Sequence, residues 1–156
     1  MALVRGADRA GVRAVAVHAL LDGRDVPETS ALRYVAALEA ELHAISSKSE
    51  RDYRIVSGGG RMSITMDRYE ADWSMVERGW RTHVEGEGER FSSAREAIET
   101  LRVRSAGIGD QDLPAFIVGD GSAGKMRDGD AVILFNFRGD RAIEISRAFD
   151  DAVFSH

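Results

Sequence analysis

Short apolar runs alternate in this chain with segments whose apolar residues recur every three or four positions. The run 12–21, VRAVAVHALL, contains several β-branched residues and ends at Asp22-Gly23, which predicts a buried strand followed by a turn. After Pro27 the apolar spacing becomes helical, and one buried face is predicted from Ala31, Val35, Leu38, Leu42 and Ile45. A strand followed by a helix is the repeating unit of an α/β fold.

The same alternation continues to the end of the chain. Further strands are predicted at 53–56, 113–118 and 131–137, with loops at 85–90 and 119–129. Further helices are predicted around Trp73, Val76 and Trp80, after a capping box that begins at Ser93, and from about Asp140. The pattern predicts a single α/β domain with a largely parallel sheet flanked by helices.

Length, net charge and amino-acid composition exclude several classes of protein. A length of 156 residues suits one domain, and a net charge of −5 argues against a non-specific nucleic-acid binder. The absence of cysteine excludes disulfides and thiolate metal sites and favours a reducing compartment. The longest apolar stretch, 14–21, is too short to cross a bilayer, and no signal peptide is recognised at the N-terminus. A cytoplasmic protein with no membrane partner is predicted.

Several common catalytic patterns fit poorly. GDGSAGK at 119–125 matches part of a phosphate-binding P-loop, but Met126 replaces the magnesium-binding hydroxyl and no helix has room to follow, so a connecting loop is predicted. The four histidines lack metal-ligand spacing, and His18 is predicted to be a hydrogen-bonded core residue. No serine lies in a nucleophile-elbow motif.

Arginines follow three of the four predicted strands: Arg24 in DGRD, Arg61 in GGGR, and the pair Arg138 and Arg141 in RGDR. Ligands of open α/β sheets bind beyond the carboxyl ends of the strands, and parallel strands would bring these arginines to one edge. Several guanidinium groups repel one another unless an anion lies between them, and their planar forks suit phosphate and carboxylate. An anionic ligand is predicted.

Neighbouring residues fit this hypothesis but leave an alternative open. Gly60 and Gly139 would let main-chain N–H groups approach a ligand closely, and Asp25 and Asp140 could hold the arginines or accept hydroxyl hydrogen bonds. In the alternative, each arginine pairs with a neighbouring aspartate on a wet surface, which contributes only ~0–1 kcal/mol per pair.

Three longer segments resemble, in the same order, signature segments of the cofactor-independent (2,3-bisphosphoglycerate-independent) phosphoglycerate mutases. They are VHALLDGRDVPETSALRYV at 17–35, GGRMSITMDRYEADW at 59–73 and DGDAVILFNFRGDRA at 128–142. In that family a phosphatase-like domain, related to alkaline phosphatase, carries a serine nucleophile and two manganese ions, and an inserted second domain binds the glycerate part of the substrate. The resemblance implies that residues 1–156 are this inserted substrate-binding (phosphotransferase) domain, excised from its phosphatase domain.

The resemblance also implies the ligand, 2- or 3-phosphoglycerate, and the residues that contact it: Arg24, Asp25, Arg61, Arg68, Arg138 and Arg141. Arg68, in MDR, follows from the resemblance alone. The family's usual GRYYAMDRDKRW is GRMSITMDRYEADW here, so the spacing between Arg61 and Arg68 differs by one residue.

The implied reaction has two half-reactions, in which the serine takes the phosphoryl group from one glycerate hydroxyl and the other hydroxyl takes it back. Arginines of this chain would hold the carboxylate and neutralise phosphoryl oxygens, and Asp25 would position or deprotonate a hydroxyl. No nucleophile, metal or cofactor is expected in this chain, so the fragment alone is predicted to be inactive. A free-standing anion or sugar-phosphate binding module and a purely structural domain are the alternatives.

Overall fold

The computed structural model describes residues 1–48, 50–121, 124–136, 138–152 and 154. The helices in this part of the chain are α1 (Ala2–Arg9), α2 (Ala31–Ser46), α3 (Trp73–Trp80), α4 (Ala94–Arg104) and α5 (Ile143–Asp150). The strands are β1 (Ala14–Leu21), β2 (Asp52–Gly60), β3 (Glu89–Phe91) and β4 (Phe116–Val118). A π-helical turn spans Arg81–Glu85, and 3₁₀ turns span Asp110–Asp112 and Gly139–Arg141.

The four strands form one sheet in the order β1-β2-β4-β3. β1 pairs with β2 and β3 with β4 in parallel, whereas β4 runs antiparallel to β2. The prediction of a single α/β domain with a largely parallel sheet is confirmed. In the β1–β2 register Leu21 lies opposite Gly60, so the segments that follow these two strands start side by side.

The core lies between the sheet and the helices α2 and α4. The predicted apolar face of α2 is buried at Ala31, Val35, Leu42 and Ile45, with Leu38 packed at its margin. Helix α4 begins at Ser93, whose Oγ accepts a hydrogen bond from Glu96 N at 3.1 Å, and it buries Ala97, Ile98 and Leu101. Both helices are therefore stabilised by their apolar faces, which share one buried cluster, and α4 also by its N-terminal cap.

Helix α3 packs against α5 instead. Its predicted face is buried completely at Val76, and Trp80 contacts Phe149 with ring centroids 4.9 Å apart. The guanidinium of Arg147 lies over the ring of Trp73, 5.4 Å from its centroid. The tryptophans of α3 thus pack between two helices.

The predicted strand at 131–137 is wrong over residues 131–136, which form no regular secondary structure; Phe137 lies outside the described residues. Its apolar side chains are open to solvent: Ile133 is 71% exposed and Phe135 is 88% exposed. A strand needs a partner for its backbone N–H and C=O groups, and none of the four strands described pairs with this segment.

Two short elements were not predicted. Helix α1, with the sequence ALVRGADR, contains a glycine and buries only Val4, so its apolar pattern is weak. Strand β3 has three residues, too few to show a period of two, and it begins inside the segment 85–90 that was predicted as a loop.

Candidate functional site

The turns after β1 and β2 meet through Arg61. Its Nη1 atom donates a hydrogen bond to Asp22 Oδ1 at 2.6 Å and lies 3.3 Å from Asp25 Oδ2. Its backbone N–H donates to Leu21 O at 2.9 Å. The Arg61 side chain is 7% exposed, so its position is fixed by burial and by two carboxylates. The parallel pairing of β1 and β2 therefore brings DGRD and GGGR together, as the strand-end argument expects.

The later arginines join this group through shared aspartates. Arg138 Nη1 lies 3.6 Å from Asp25 Oδ2, and Arg138 Nε lies 4.0 Å from Asp140 Oδ1. Arg68 Nη1 lies 3.9 Å from Asp140 Oδ2. Asp25 thus links Arg61 with Arg138, and Asp140 links Arg138 with Arg68. We call Arg61, Arg68, Arg138 and Arg141, with Asp22, Asp25 and Asp140, the arginine cluster.

Arg141 is the buried member of the cluster, with 5% of its surface exposed. Its Nη1 atom donates to Met66 O at 2.5 Å, in the MDR segment. Burial lowers its pKa, the positive charges of Arg68 and Arg61 lower it further, and Asp140 partly opposes the change. The guanidinium groups are therefore close enough to repel one another, and an anion among them would relieve that repulsion.

The buried arginines also retain donor capacity. The Nε atoms of Arg61 and Arg141 are buried and have no hydrogen-bond acceptor among the residues that the structure describes. Arginine carries five N–H donors in a fixed fork, so one end of each group is committed to protein contacts while its Nε–H has no acceptor among the described residues.

Arg138 and Arg141 reach the cluster without a strand, which corrects the sequence argument for this pair. Arg138 N donates to Asn136 Oδ1 at 3.0 Å, and Asn136 Nδ2 contacts Met66 Sδ at 3.6 Å. The chain then enters the 3₁₀ turn Gly139–Arg141 and α5. Side-chain contacts with the MDR segment position these arginines in place of sheet pairing.

Arg24 is the predicted site residue that the structure does not tie to the cluster. Its side chain is exposed, and among the described residues it has no hydrogen bond or ion pair. Asp25 beside it has a side chain that is 64% exposed and is anchored by its backbone N–H, which donates to Asp22 Oδ2 at 3.1 Å. Arg24 and Asp25 therefore line the solvent side of the DGRD turn.

The two glycines of the strand-end hypothesis differ. Gly60 N donates to Leu113 O at 2.8 Å, and a Cβ at Gly60 would lie 2.2 Å from Gln111 O. Its bare backbone therefore accommodates the turn Asp110–Asp112, and the prediction that it faces a ligand is wrong. A Cβ at Gly139 would meet no atom within 4 Å, so that backbone is open.

A hydrogen-bond chain that sequence reasoning missed joins β1, β2 and the segment between Arg61 and Arg68. Ser57 Oγ lies 2.7 Å from His18 Nδ1 and 3.0 Å from His83 Nδ1, and His83 Nε2 lies 3.0 Å from Thr65 Oγ1. The predicted hydrogen bond of His18 is confirmed, and its side chain is half-buried. Burial lowers the pKa of His18 to about 4 and, together with the charge of His18, that of His83 to about 3.

The P-loop-like segment is unrelated to the cluster. Lys125 is exposed, and no helix follows it over residues 124–136. It lines an open cavity of about 820 Å³ together with Gly86, Arg90 and Arg127, but also with two glutamates, Glu85 and Glu87. Side chains of both signs line this cavity, so it lacks the uniform positive field and the helix N-terminus of a phosphate site.

Neither a metal-binding cluster nor a membrane-spanning helix is found in the described part of the chain. Among the described ranges, no group of three or more His, Asp or Glu side chains could hold a metal ion. No helix in the same part of the chain is both long and apolar enough to cross a membrane.

Comparison with known proteins adds the family. The family described as "BPG-independent PGAM N-terminus" matches residues 1–156. The "Probable 2,3-bisphosphoglycerate-independent phosphoglycerate mutase" of Leptospira interrogans is 58% identical over 98% of this chain and 28% of its own length. The "2,3-bisphosphoglycerate-independent phosphoglycerate mutase" of Trypanosoma brucei brucei is 52% identical over 97% of this chain and 28% of its own length.

A solved structure agrees with these relatives. The phosphoglycerate mutase of Leishmania mexicana, determined at low cobalt concentration, superimposes with a TM-score of 0.93 at 49% identity, over 98% of this chain and 28% of that one. The chain thus spans a little over a quarter of the length of the proteins that it matches. Because the family model covers the whole sequence and close relatives match nearly all of it, this chain belongs to the BPG-independent PGAM N-terminus family.

Proposed function

We propose that this chain binds the glycerate and phosphate groups of 2- and 3-phosphoglycerate during their interconversion, as one domain of a 2,3-bisphosphoglycerate-independent phosphoglycerate mutase. The relatives that it matches carry that name and are more than three times as long. The observation that carries the proposal is the double contact of Asp25, which lies 3.3 Å from Arg61 and 3.6 Å from Arg138. It joins arginines that are far apart in sequence into one cluster.

The exposure of the arginines suits a small anion arriving from solvent. Arg68 and Arg138 have side chains that are 43% and 38% exposed, whereas Arg61 and Arg141 are buried beneath them. Phosphoglycerate carries both a phosphate and a carboxylate, and each is an acceptor that a guanidinium fork can bind with two hydrogen bonds. The exposed arginines would clamp these groups, while the buried ones fix the geometry and the positive field.

The chemistry would be divided between domains. A serine in the remainder of the polypeptide would accept the phosphoryl group and return it to the other hydroxyl of the glycerate. Arginines of this chain would neutralise charge on the transferring oxygens, and the exposed Asp25 carboxylate would accept a hydrogen bond from the reacting hydroxyl. Manganese would belong to that phosphatase domain, and we assign no metal-dependent step to residues 1–156. The cytoplasmic location predicted from the sequence is part of this proposal.

The exposed segment 131–136 supports a covalently linked partner domain. Exposed apolar patches commonly mark interaction surfaces, and Val132, Ile133 and Phe135 are at least 48% exposed. We propose that this segment packs against the phosphatase domain of the same polypeptide and not against the sheet described above.

Steady-state kinetics of the full-length polypeptide would test the proposal. Arg138→Ala should lower kcat/KM for 3-phosphoglycerate by about a hundredfold, because a charged hydrogen bond to the substrate contributes about 1.5–3 kcal/mol. Arg95→Ala on α4, an exposed arginine paired with Glu99 at 3.7 Å, is the matched control and should leave kcat/KM unchanged. Full turnover by Arg138→Ala would reject the substrate-binding role and favour a structural domain.

Calorimetry would separate the proposal from a free-standing binding module. The isolated chain should bind phosphoglycerate weakly and show no mutase activity, because half of the substrate's contacts would come from the other domain. Tight binding by the isolated chain would favour the free-standing module instead.

A further inference from the structure

Two buried carboxyl groups lie between the segments that carry Arg68 and Arg141. Asp67 directly precedes Arg68 and is 6% exposed, and Glu144 lies in the first turn of α5 and is 4% exposed. Their carboxyl groups adjoin, and each shifts the pKa of the other. Neither residue was predicted from the sequence, and neither contacts substrate in the proposed function.

The remaining contacts of this pair leave one buried carboxyl oxygen without a donor in the described part of the chain. Glu144 Oε1 accepts a hydrogen bond from Glu70 N at 2.9 Å, and Asp67 Oδ2 accepts one from Asp72 N at 2.7 Å. Glu144 Oε2 is buried and meets no N–H or O–H donor among the residues described. Two adjoining ionised carboxylates offer acceptors only and repel each other, whereas a carboxyl and a carboxylate can share a hydrogen bond.

The surroundings place the proton on Glu144. Burial raises the pKa of Glu144, the N–H of Glu70 partly opposes this, and the hydrogen bond and negative charge of Asp67 raise it further. Burial alone would raise the pKa of Asp67, but the N–H groups of Asp72 and Arg68 and the hydrogen bond from Glu144 lower it overall. Other charges nearby are Asp72, Glu70 and Arg147, and Arg147 Nη1 lies 2.9 Å from Glu70 Oε1.

We propose that Glu144 is a positioning residue whose protonated carboxyl donates its Oε2–H to Asp67 and so holds Arg68 and Arg141 together in the arginine cluster. The second tie between the same segments is the 2.5 Å hydrogen bond from Arg141 Nη1 to Met66 O. Loss of the proton turns attraction into repulsion between two buried carboxylates, which separates the MDR segment from α5. The inference rests on the proposed function for the identity of the ligand.

Two substitutions of Glu144 distinguish the effect of the hydrogen bond from the effect of its titration with pH. In Glu144→Gln the amide N–H donates to Asp67 at every pH, whereas Glu144→Ala has no donor. The ratio of KM for 3-phosphoglycerate between wild type and Glu144→Gln, in the full-length polypeptide, should rise about tenfold as the pH rises through the raised pKa of Glu144. Taking this ratio removes the titration of the substrate and of the catalytic groups, which is the same in both proteins.

Glu144→Ala should show a KM raised about tenfold at every pH. Its kcat should change less, because displaced arginines weaken binding of the substrate and of the transition state to a similar extent. The control Asp150→Asn removes an exposed carboxylate from the same helix and should follow wild type. A KM for Glu144→Gln that follows the wild-type pH profile, or that equals the KM of Glu144→Ala, would overturn the inference.

A second measurement needs no ligand. The folded-state pKa of Glu144 is raised above its unfolded value, so the folded state keeps a proton that the unfolded chain loses, and stability falls as pH rises through the folded pKa. The Tm of wild type should therefore fall relative to Glu144→Gln over that range. If the Tm falls in this way but neither Arg138→Ala nor Glu144→Ala changes KM for 3-phosphoglycerate, the proposed substrate-binding function is rejected. If Arg138→Ala raises KM and Glu144→Ala does not, only the positioning role fails.

Discussion

The Nε2 atom of His83 lies 3.0 Å from Oγ1 of Thr65, and this contact ties the loop between Arg61 and Arg68 to the sheet. Thr65 has a φ of +69°, a left-handed conformation that a β-branched residue rarely adopts. Its N–H donates to Met75 O at 2.9 Å. The hydrogen bonds on both sides of Thr65 hold the backbone in this conformation, so the shape of the loop depends on His83.

The buried histidines predict a loss of stability in mild acid. The pKa values of His18 and His83 are lowered to about 4 and about 3, so both are neutral in the folded state when the unfolded chain takes up protons below about pH 6.5. Between about pH 7.5 and about pH 5 each histidine should remove about 2 kcal/mol from the free energy of unfolding. Urea unfolding at several pH values measures this.

A variant series checks the assignment of that acid sensitivity. His83→Gln should flatten the decline, because glutamine has no proton to gain, whereas His43→Gln, at an exposed histidine on α2, should leave the decline unchanged. An equal decline in wild type and His83→Gln would show that other groups cause it.

The Thr65 hydroxyl should be required for the loop. Thr65→Val keeps the shape of the side chain but leaves His83 Nε2 buried without its partner, at a cost of about 1–3 kcal/mol in unfolding free energy. Thr65→Ser keeps the hydroxyl and should lose less than half as much. Chemical denaturation of both variants measures the difference; equal losses would mean that the methyl group, and not the hydrogen bond, matters.

Local patterns were enough to predict most of the fold. The helical spacing of α2 and the capping residue of α4 depend on neighbours within four positions, so one sequence reveals them. The meeting of Arg61 with Asp25 also followed, because a helix between two strands brings their carboxyl ends to one edge. The run 131–136 shows the limit of this reasoning: an apolar pattern predicts burial or pairing but cannot name the partner.

Local sequence patterns could not predict the buried residues of the site. Asp67 and Glu144 are 77 positions apart in the sequence. His83 and Thr65 are 18 positions apart, and His83 lies in a π-helical turn that the sequence pattern did not predict. Charged and polar residues of these types are usually exposed, so nothing in their order predicts burial. Their partners are set by how α3 and α5 pack, which depends on the whole fold.

Arg61 should contribute to the stability of the fold, whereas Arg24 should not. Arg61→Ala leaves Asp22 and Asp25 without their buried partner and should lower the free energy of unfolding by about 2–3 kcal/mol. Arg24→Ala removes an exposed side chain and should change it by less than about 0.5 kcal/mol. Thermal and denaturant unfolding measure both, and a large loss for Arg24→Ala would show a structural contact at that position.

Asp110 should be one of the least replaceable residues of the fold. It is 1% exposed, its Oδ2 accepts from Ala31 N at 2.7 Å, and its Oδ1 binds Arg102 Nη2. Asp110→Ala should cost about 3–5 kcal/mol of unfolding free energy, because it leaves a partly buried arginine and the first N–H of α2 unpaired. Asp112→Ala, on an exposed side chain in the same turn, is the control and should cost less than about 0.5 kcal/mol.

The exposed apolar run should make the isolated chain self-associate. Ile133 and Phe135 are 71% and 88% exposed, and burying such side chains is favourable by about 1.5–3 kcal/mol each, so copies of the chain should pair through them at high concentration. The double change Ile133→Ser and Phe135→Ser should restore a monomer in sedimentation velocity without lowering Tm, because neither side chain packs in the core. In the full-length polypeptide the same double change should instead lower Tm, since the segment would there lie against the second domain. An unchanged Tm in the full-length polypeptide would contradict the proposed contact.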